Sequence, residues 1–430
     1  MDVRELTTQP QPSFYALQPF KRALADELGG EAAVARFAAL AGYADGWRAE
    51  RLALGSLRDH ARADALAYEV VAPSRELTFD PPSIFARPDV ESRQMRTREL
   101  FFCALENVVV PCKSSFVLAP ERGLALFDYQ GEELGQLPYD LDVDPVAFAP
   151  TDDEITAYVG RGAYDEPLDR AFALTGLHSF NFGHWLQELL PKLLACVDRP
   201  GFESVTVLVD EQMPEQHREA LELILPSGHP VVPLGPGEAV RVRELWTCST
   251  PMYAEVGTRP GEPSLDEVLP LDGDAFSELV DKIDTRLRAA EKPGTSKRIY
   301  LARKETQHKR LVNAGETSEW FRQQGFDVYE PASLSFAEQL ARVRGADVIA
   351  GPEGSAFYLA FWARPGTTLA VLDNPYTDQW WPIADICRAR GLRLSILVGE
   401  VVRHESSYVK YSDYEIDLGQ LPSFLADAAV

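Results

Sequence analysis

Residues 346–373 read ADVIAGPEGSAFYLAFWARPGTTLAVLD, and this stretch decides the fold. ADVIAG is a short apolar run suited to a strand buried on both faces. Gly-Pro-Glu-Gly breaks it, an apolar helical pattern occupies about 354–363, and Pro365-Gly366 closes that pattern. TTLAVLD (367–373) is then a second buried strand. Strand, glycine turn, helix and strand in this order make a βαβ unit with parallel strands.

The same rhythm extends outward. RIYLAR (298–303), FDVYEP (326–331) and LRLSILVG (392–399) read as further strands, with helical patterns near 316–325, 335–345 and 379–390. An earlier alternation comprises AFALTG (171–176), an amphipathic helix over 182–197, VTVLVD (205–210), PVVPL (230–234) and VRELWTC (242–248). Pro191 lies inside that helix, so a kink or two abutting helices are expected. The expected class is α/β, with two Rossmann-like domains at 76–260 and 296–400 joined by a linker and helix at 261–295. Residues 1–75 form an N-terminal helical extension: a polar end over 1–12, then Ala/Leu/Arg text from Phe14 to Leu66 with helical spacing. PPSIFARP (81–88) breaks that pattern, 99–135 reads as an antiparallel meander within the first domain, and 401–430 is a C-terminal tail.

Composition bounds the function. The 430 residues carry 42 Lys+Arg against 66 Asp+Glu, a net charge of −24. That excludes wrapping a nucleic-acid backbone, though not a local basic pocket for a phosphorylated small molecule. With 45% hydrophobic residues the chain is neither disordered nor a disulfide scaffold. The five cysteines (103, 112, 196, 248 and 387) show no zinc spacing and read as dispersed, buried thiols. Neither a signal peptide nor a membrane-length apolar run is visible, so a soluble cytoplasmic protein is expected, not integral to a membrane. The N-terminal helices suit homo-oligomer formation, docking to a partner or capping of a cleft.

Three segments carry candidate chemistry. In SFNFGHWLQELLPKLL (179–194), Asn181, His184, Glu188 and Lys192 share one helical stripe. Spacing of i, i+4 lets Glu188 orient His184 as a base for a hydroxyl, although a solvated helix face has the same pattern. In RIYLARKETQHKRLVN (298–313), a strand delivers Arg303 and Lys304, then His308, Lys309, Arg310 and Asn313. Such a cluster suits a diphosphate, or is a basic surface loop. The third is the Gly351–Phe357 turn, where helix N–H groups after Gly354 suit an anion. It matches neither the dinucleotide fingerprint nor the Walker or Gly-x-Ser-x-Gly patterns. Asp140, Asp142 and Asp144 read as a solvated acidic loop rather than a metal motif, and Trp380-Trp381 as core packing rather than a stacking platform.

Together these segments resemble glycosyltransferase family 61. The run Asn181-Phe-Gly-His-Trp-Leu-Gln-Glu-Leu-Leu-Pro-Lys-Leu193 is the closest match, followed by Arg303…Arg310…Asn313 and the Gly-Pro-Glu-Gly-Ser-Ala turn. The resemblance spans about 95–400 and implies a GT-B fold of two facing Rossmann-like domains. It also implies inverting transfer of a hexose or pentose from a nucleotide-sugar to a glycan or other hydroxyl acceptor. No cofactor and no metal are implied, and the setting is polysaccharide, capsule or glycoconjugate synthesis. By position, His184 and Glu188 would be catalytic, with Asn181 and Trp185 near acceptor or sugar. Arg303, Lys304, Arg310, Asn313, Gly354, Ser355 and Ala356 would hold the donor. The family often has His where Glu353 stands, which makes Glu353 a sugar contact or, alternatively, the base. A non-catalytic sugar-nucleotide or glycan-binding protein is the competing reading; a dinucleotide-dependent enzyme lacks its fingerprint.

Overall fold

The computed structural model describes residues 13–43, 46–87, 90–128, 144–149, 151, 153–162, 166–254, 268–287, 296–303, 310–376, 380–404 and 411–428. The chain divides into two compact units: residues 1–73, 99–214 and 225–251 form unit 1, and 74–98, 215–224 and 252–430 form unit 2. Two short pieces that lie between segments of unit 1 in the sequence, 74–98 and 215–224, belong to unit 2.

Unit 1 is built on one mixed sheet. Its long central strands are β1 (Arg48–Ser56), β2 (Leu100–Pro111), β3 (Leu168–Ala173), β4 (Thr206–Asp210), β5 (Val231–Leu234) and β6 (Glu238–Cys248). The parallel set runs β5-β4-β3-β6, matching the alternation read at 171–248. β6 then pairs antiparallel with β2, which leads into the meander Phe116–Ala119 and Leu124–Phe127. The parallel quartet is thus one edge of a twelve-stranded sheet rather than a separate domain. Alternate residues of β2, Phe101, Cys103 and Leu105, join Leu208 and Leu245 in its core.

The N-terminal extension is helical over Ser13–Leu28, Gly30–Ala41 and Leu57–Asp64, but β1 interrupts it. RAERLALGS is rich in helix formers, which is why its helical spacing misleads. Pairing with Leu124–Phe127 on one side and Glu154–Val159 on the other decides otherwise.

Unit 2 carries the doubly wound sheet. Its strands are β7 (Arg298–Leu301), β8 (Asp327–Tyr329), β9 (Val348–Pro352), β10 (Thr368–Asp373) and β11 (Arg393–Val398). The order is β8-β7-β9-β10-β11, all parallel, with Ser83–Ile84 added at the far edge. The sequence 401–430, expected as a tail, is part of this fold. β12 (Glu400–Arg403) pairs with β13 (Asp413–Glu415), and Tyr414, Ile416, Leu421 and Phe424 sit in the core with Leu372 and Leu397. Of the 261–295 segment, Gly273–Leu287 is helical and buries Phe276, Leu279 and Val280.

Two other expectations resolve at the level of single residues. Trp380 and Trp381 are buried, the first donating its indole N–H to Asp373 at 2.8 Å, so they are core residues. Asp144 is buried rather than solvated: it accepts from the Ser115 and Val146 amides and the Ser114 hydroxyl, and burial pushes its carboxyl up to about 6. Asp140 and Asp142 lie outside the described residues. All five cysteines are buried thiols, and they are not all dispersed, since the Cys196 and Cys248 sulfurs lie 3.1 Å apart. No helix of the described residues is long and apolar enough to cross a membrane.

Candidate active site

In unit 1 the chemistry begins at Asn181. Its side-chain oxygen accepts from the Gly183 and His184 amides at 2.8 and 3.4 Å, capping the helix that starts at Phe182. The helix is not regular: residues Trp185–Leu189 form a π turn, and an α-helix resumes at Leu190–Cys196. Pro191 explains this. It has no N–H for the carbonyl of Gln187, and its ring would press on that carbonyl in an α turn, so the chain widens just before it.

The His184–Glu188 part of the polar stripe is largely covered by protein. His184 Nδ1 lies 2.7 Å from Glu188 Oε1, and both side chains are 13% exposed, which a solvated face would not give. Trp185, Leu186, Leu190 and Leu193 bury the opposite side. Trp185, expected near acceptor or sugar, is itself fully buried and belongs to the core.

Two neighbours of this pair escaped the sequence reading. His178 stacks on His184 with ring centroids 4.4 Å apart. Asp210, at the carboxyl end of β4, accepts from the Gly176 amide at 3.1 Å and the Lys113 amide at 2.6 Å, and from the Ser179 hydroxyl. It therefore fixes the 174–181 loop that carries His178 into the helix. Burial pushes the Asp210 carboxyl up, and these donors counter that only partly. An aspartate ending a buried strand was the available signal for it.

In unit 2 the candidate residues gather at the carboxyl ends of β7, β9 and β10, where doubly wound sheets bind ligands. Gly351 has φ +152°, and a Cβ there would lie 2.6 Å from the Leu301 carbonyl, so only glycine lets β9 leave the sheet this close to β7. Arg303 crosses the following turn: its Nη1 donates to the Glu353 carbonyl at 3.0 Å, and its Nε would lie 3.5 Å from a Cβ at Gly354. Ser355 and Ala356 open a 3₁₀-helix over Ser355–Trp362, a tighter version of the expected helix. Glu353 is buried, its amide donating to the Leu372 carbonyl.

Arg310 and Asn313 dock on the C-terminal hairpin. Arg310 donates through Nε and Nη2 to Asp413 at 3.2 and 2.8 Å. Asn313 exchanges two hydrogen bonds with the Ile416 backbone, which ties its loop to the segment after the hairpin. Lys304, His308 and Lys309 lie outside the described residues. Among the described residues, no group of three or more His, Cys, Asp or Glu is arranged to hold a metal ion.

Residues 182–370 match the Glycosyltransferase 61 family model. The matched segment contains His184, Glu188, Arg303, Arg310, Asn313 and the 351–356 turn. That family supports a glycosyltransferase as the activity of the chain. No curated protein matches it.

Proposed function

We propose that the chain is an inverting, metal-independent glycosyltransferase of GT-B type that moves a sugar from a nucleotide-sugar to a hydroxyl acceptor, in polysaccharide or glycoconjugate synthesis. The observation that carries this reading is the His184–Glu188 pair, 2.7 Å apart in a half-buried stripe. With Nδ1–H donated to the carboxylate, Nε2 keeps its lone pair and takes the proton of the acceptor hydroxyl, while Glu188 stabilises the imidazolium that forms. The acceptor oxygen bonds to the anomeric carbon as the bond from that carbon to the diphosphate oxygen breaks. The electron pair leaves with the diphosphate, and one in-line displacement inverts the configuration.

Unit 2 supplies the donor side. Arg303 and Arg310 bring guanidinium charge to the departing diphosphate, the charge a divalent ion otherwise would carry. The N–H groups opening the Ser355–Trp362 helix add a weaker anion preference. The donor is a substrate, and the reaction as written needs no cofactor.

The test is a panel of nucleotide-sugars, screened by thermal shift in EDTA, followed by NMR of the product anomer. One donor raises the melting temperature by mass action and yields an inverted glycoside. Retention of configuration refutes the single displacement. Binding without transfer or slow donor hydrolysis favours a non-catalytic sugar-nucleotide-binding protein.

A further inference from the structure

Two members of a charge constellation in unit 2, Arg403 and Asp413, lie beyond residue 370, outside the matched segment, and meet Arg310 from within it. β13 sets two side chains next to each other with different tasks. The Asp413 carboxylate, 1% exposed, gathers two arginines from separate parts of the chain. Arg310 approaches Oδ2 with Nε and Nη2 and gives its amide to Oδ1 at 2.9 Å. Arg403, from β12, gives its Nε to the same Oδ2 at 2.7 Å. Tyr414, the next residue, donates its hydroxyl to the Leu372 carbonyl at 2.9 Å, the carbonyl that also accepts the Glu353 amide at 2.8 Å. The charges of Arg303 and Glu353 act on this buried phenol as well. One dipeptide thus ties the arginine pair to the glycine turn at the carboxyl edge of the sheet.

Two guanidiniums meet on one carboxylate, and the arginine side chains remain 47% and 52% exposed. Among the described residues the terminal nitrogens of Arg403 have no partner, since its one ion pair uses Nε. A carboxylate that only stapled the hairpin needs one arginine; a second, held by its inner nitrogen with its fork directed elsewhere, suits an anion.

We infer that Arg310 and Arg403, converging on Asp413, form a two-guanidinium seat for the diphosphate of the donor, with Arg403 a donor-binding residue and Asp413 the residue that positions both. This rests on the nucleotide-sugar reading above.

The experiment is calorimetric titration of the full chain with inorganic diphosphate in EDTA at low salt, beside a titration with the nucleotide-sugar that gives the largest thermal shift. Arg403→Gln should weaken diphosphate binding about ten- to hundredfold, the range of lost charge-assisted hydrogen bonds. Arg403→Lys, which keeps the charge and loses the fork, should fall between it and the wild type. Arg364→Gln, which breaks an ion pair with Asp347 at the start of β9, should bind as the wild type does. Wild-type affinity in a folded Arg403→Gln overturns the seat; if that variant does not fold, wild-type affinity in Arg403→Lys overturns it. A wild-type chain that binds a nucleotide-sugar but not diphosphate also overturns the seat alone. One that binds neither overturns the nucleotide-sugar reading with it.

Discussion

Asp210 in unit 1 and Asp413 in unit 2 are both buried carboxylates that organise a candidate site, and their surroundings are opposite. Asp210 is met by backbone amides and a hydroxyl, and burial pushes it up. Asp413 is met by two guanidiniums and is held down at about 2 despite burial. Dipoles orient a loop without adding charge, which suits a site where a neutral imidazole must take a proton. Guanidiniums gathered on one carboxylate bring charge, which suits a site where a diphosphate must be held and released. Unit 1 is arranged for geometry, unit 2 for charge.

The largest effect that would break this division is on turnover. His184→Ala should lower kcat about 10²- to 10⁴-fold and leave donor affinity within about twofold, as expected of a residue that moves a proton. Equal losses in both would place His184 on the donor side. Next is Asp210→Ala, which strands the Lys113 and Gly176 amides and should destabilise the chain by about 2–4 kcal/mol in urea unfolding. Asp210→Asn, which keeps one acceptor, should cost roughly half of that.

Arg310→Ala should weaken donor binding about tenfold, flatten its salt dependence and lower kcat as well, because the same guanidinium meets the departing diphosphate. The smallest effect sharpens the comparison most. Asp413 has a folded value below the unfolded one, so its contribution to stability is present above pH 4 and lost as pH falls toward 2. Asp210 has a folded value above the unfolded one, so the native state binds the extra proton and its penalty eases as pH falls. The stability difference between wild type and Asp413→Asn should therefore shrink on acidification, and that between wild type and Asp210→Asn should move the opposite way. Slopes of equal sign would erase the distinction.

The sequence made some of this legible, for physical reasons that differ by element. The central parallel strands of unit 2 read clearly because they are buried on both faces, as VIAGP and TLAVLD show. β1 was hidden, since Arg, Ala, Leu and Glu favour a helix and only its two neighbours in the sheet make it extended. His184 and Glu188 were visible because i, i+4 spacing is local; the π turn that Pro191 brings leaves them paired. His178 meets them through a loop anchored to a different strand, a contact that carries no periodicity. Arg303 and Arg310 stood out as basic residues in an acidic chain. Their partners did not: Asp413 pairs with Arg310 across about a hundred intervening residues, the kind of long-range ion pair that no local pattern announces. Trp185 shows the ambiguity of a helical position that fits both an acceptor contact and the core; its side chain is fully buried.

In the proposed reaction a proton leaves through His184 while guanidiniums, without a divalent ion, carry the departing phosphate charge. Nucleoside diphosphate release from a panel of nucleotide-sugars, measured in EDTA with wild type and His184→Ala side by side, tests it most directly. Release is expected from one donor, unslowed by EDTA and reduced at least about a hundredfold in His184→Ala, roughly the lower bound for loss of a general base. Release abolished by EDTA, or undiminished in His184→Ala, would contradict it.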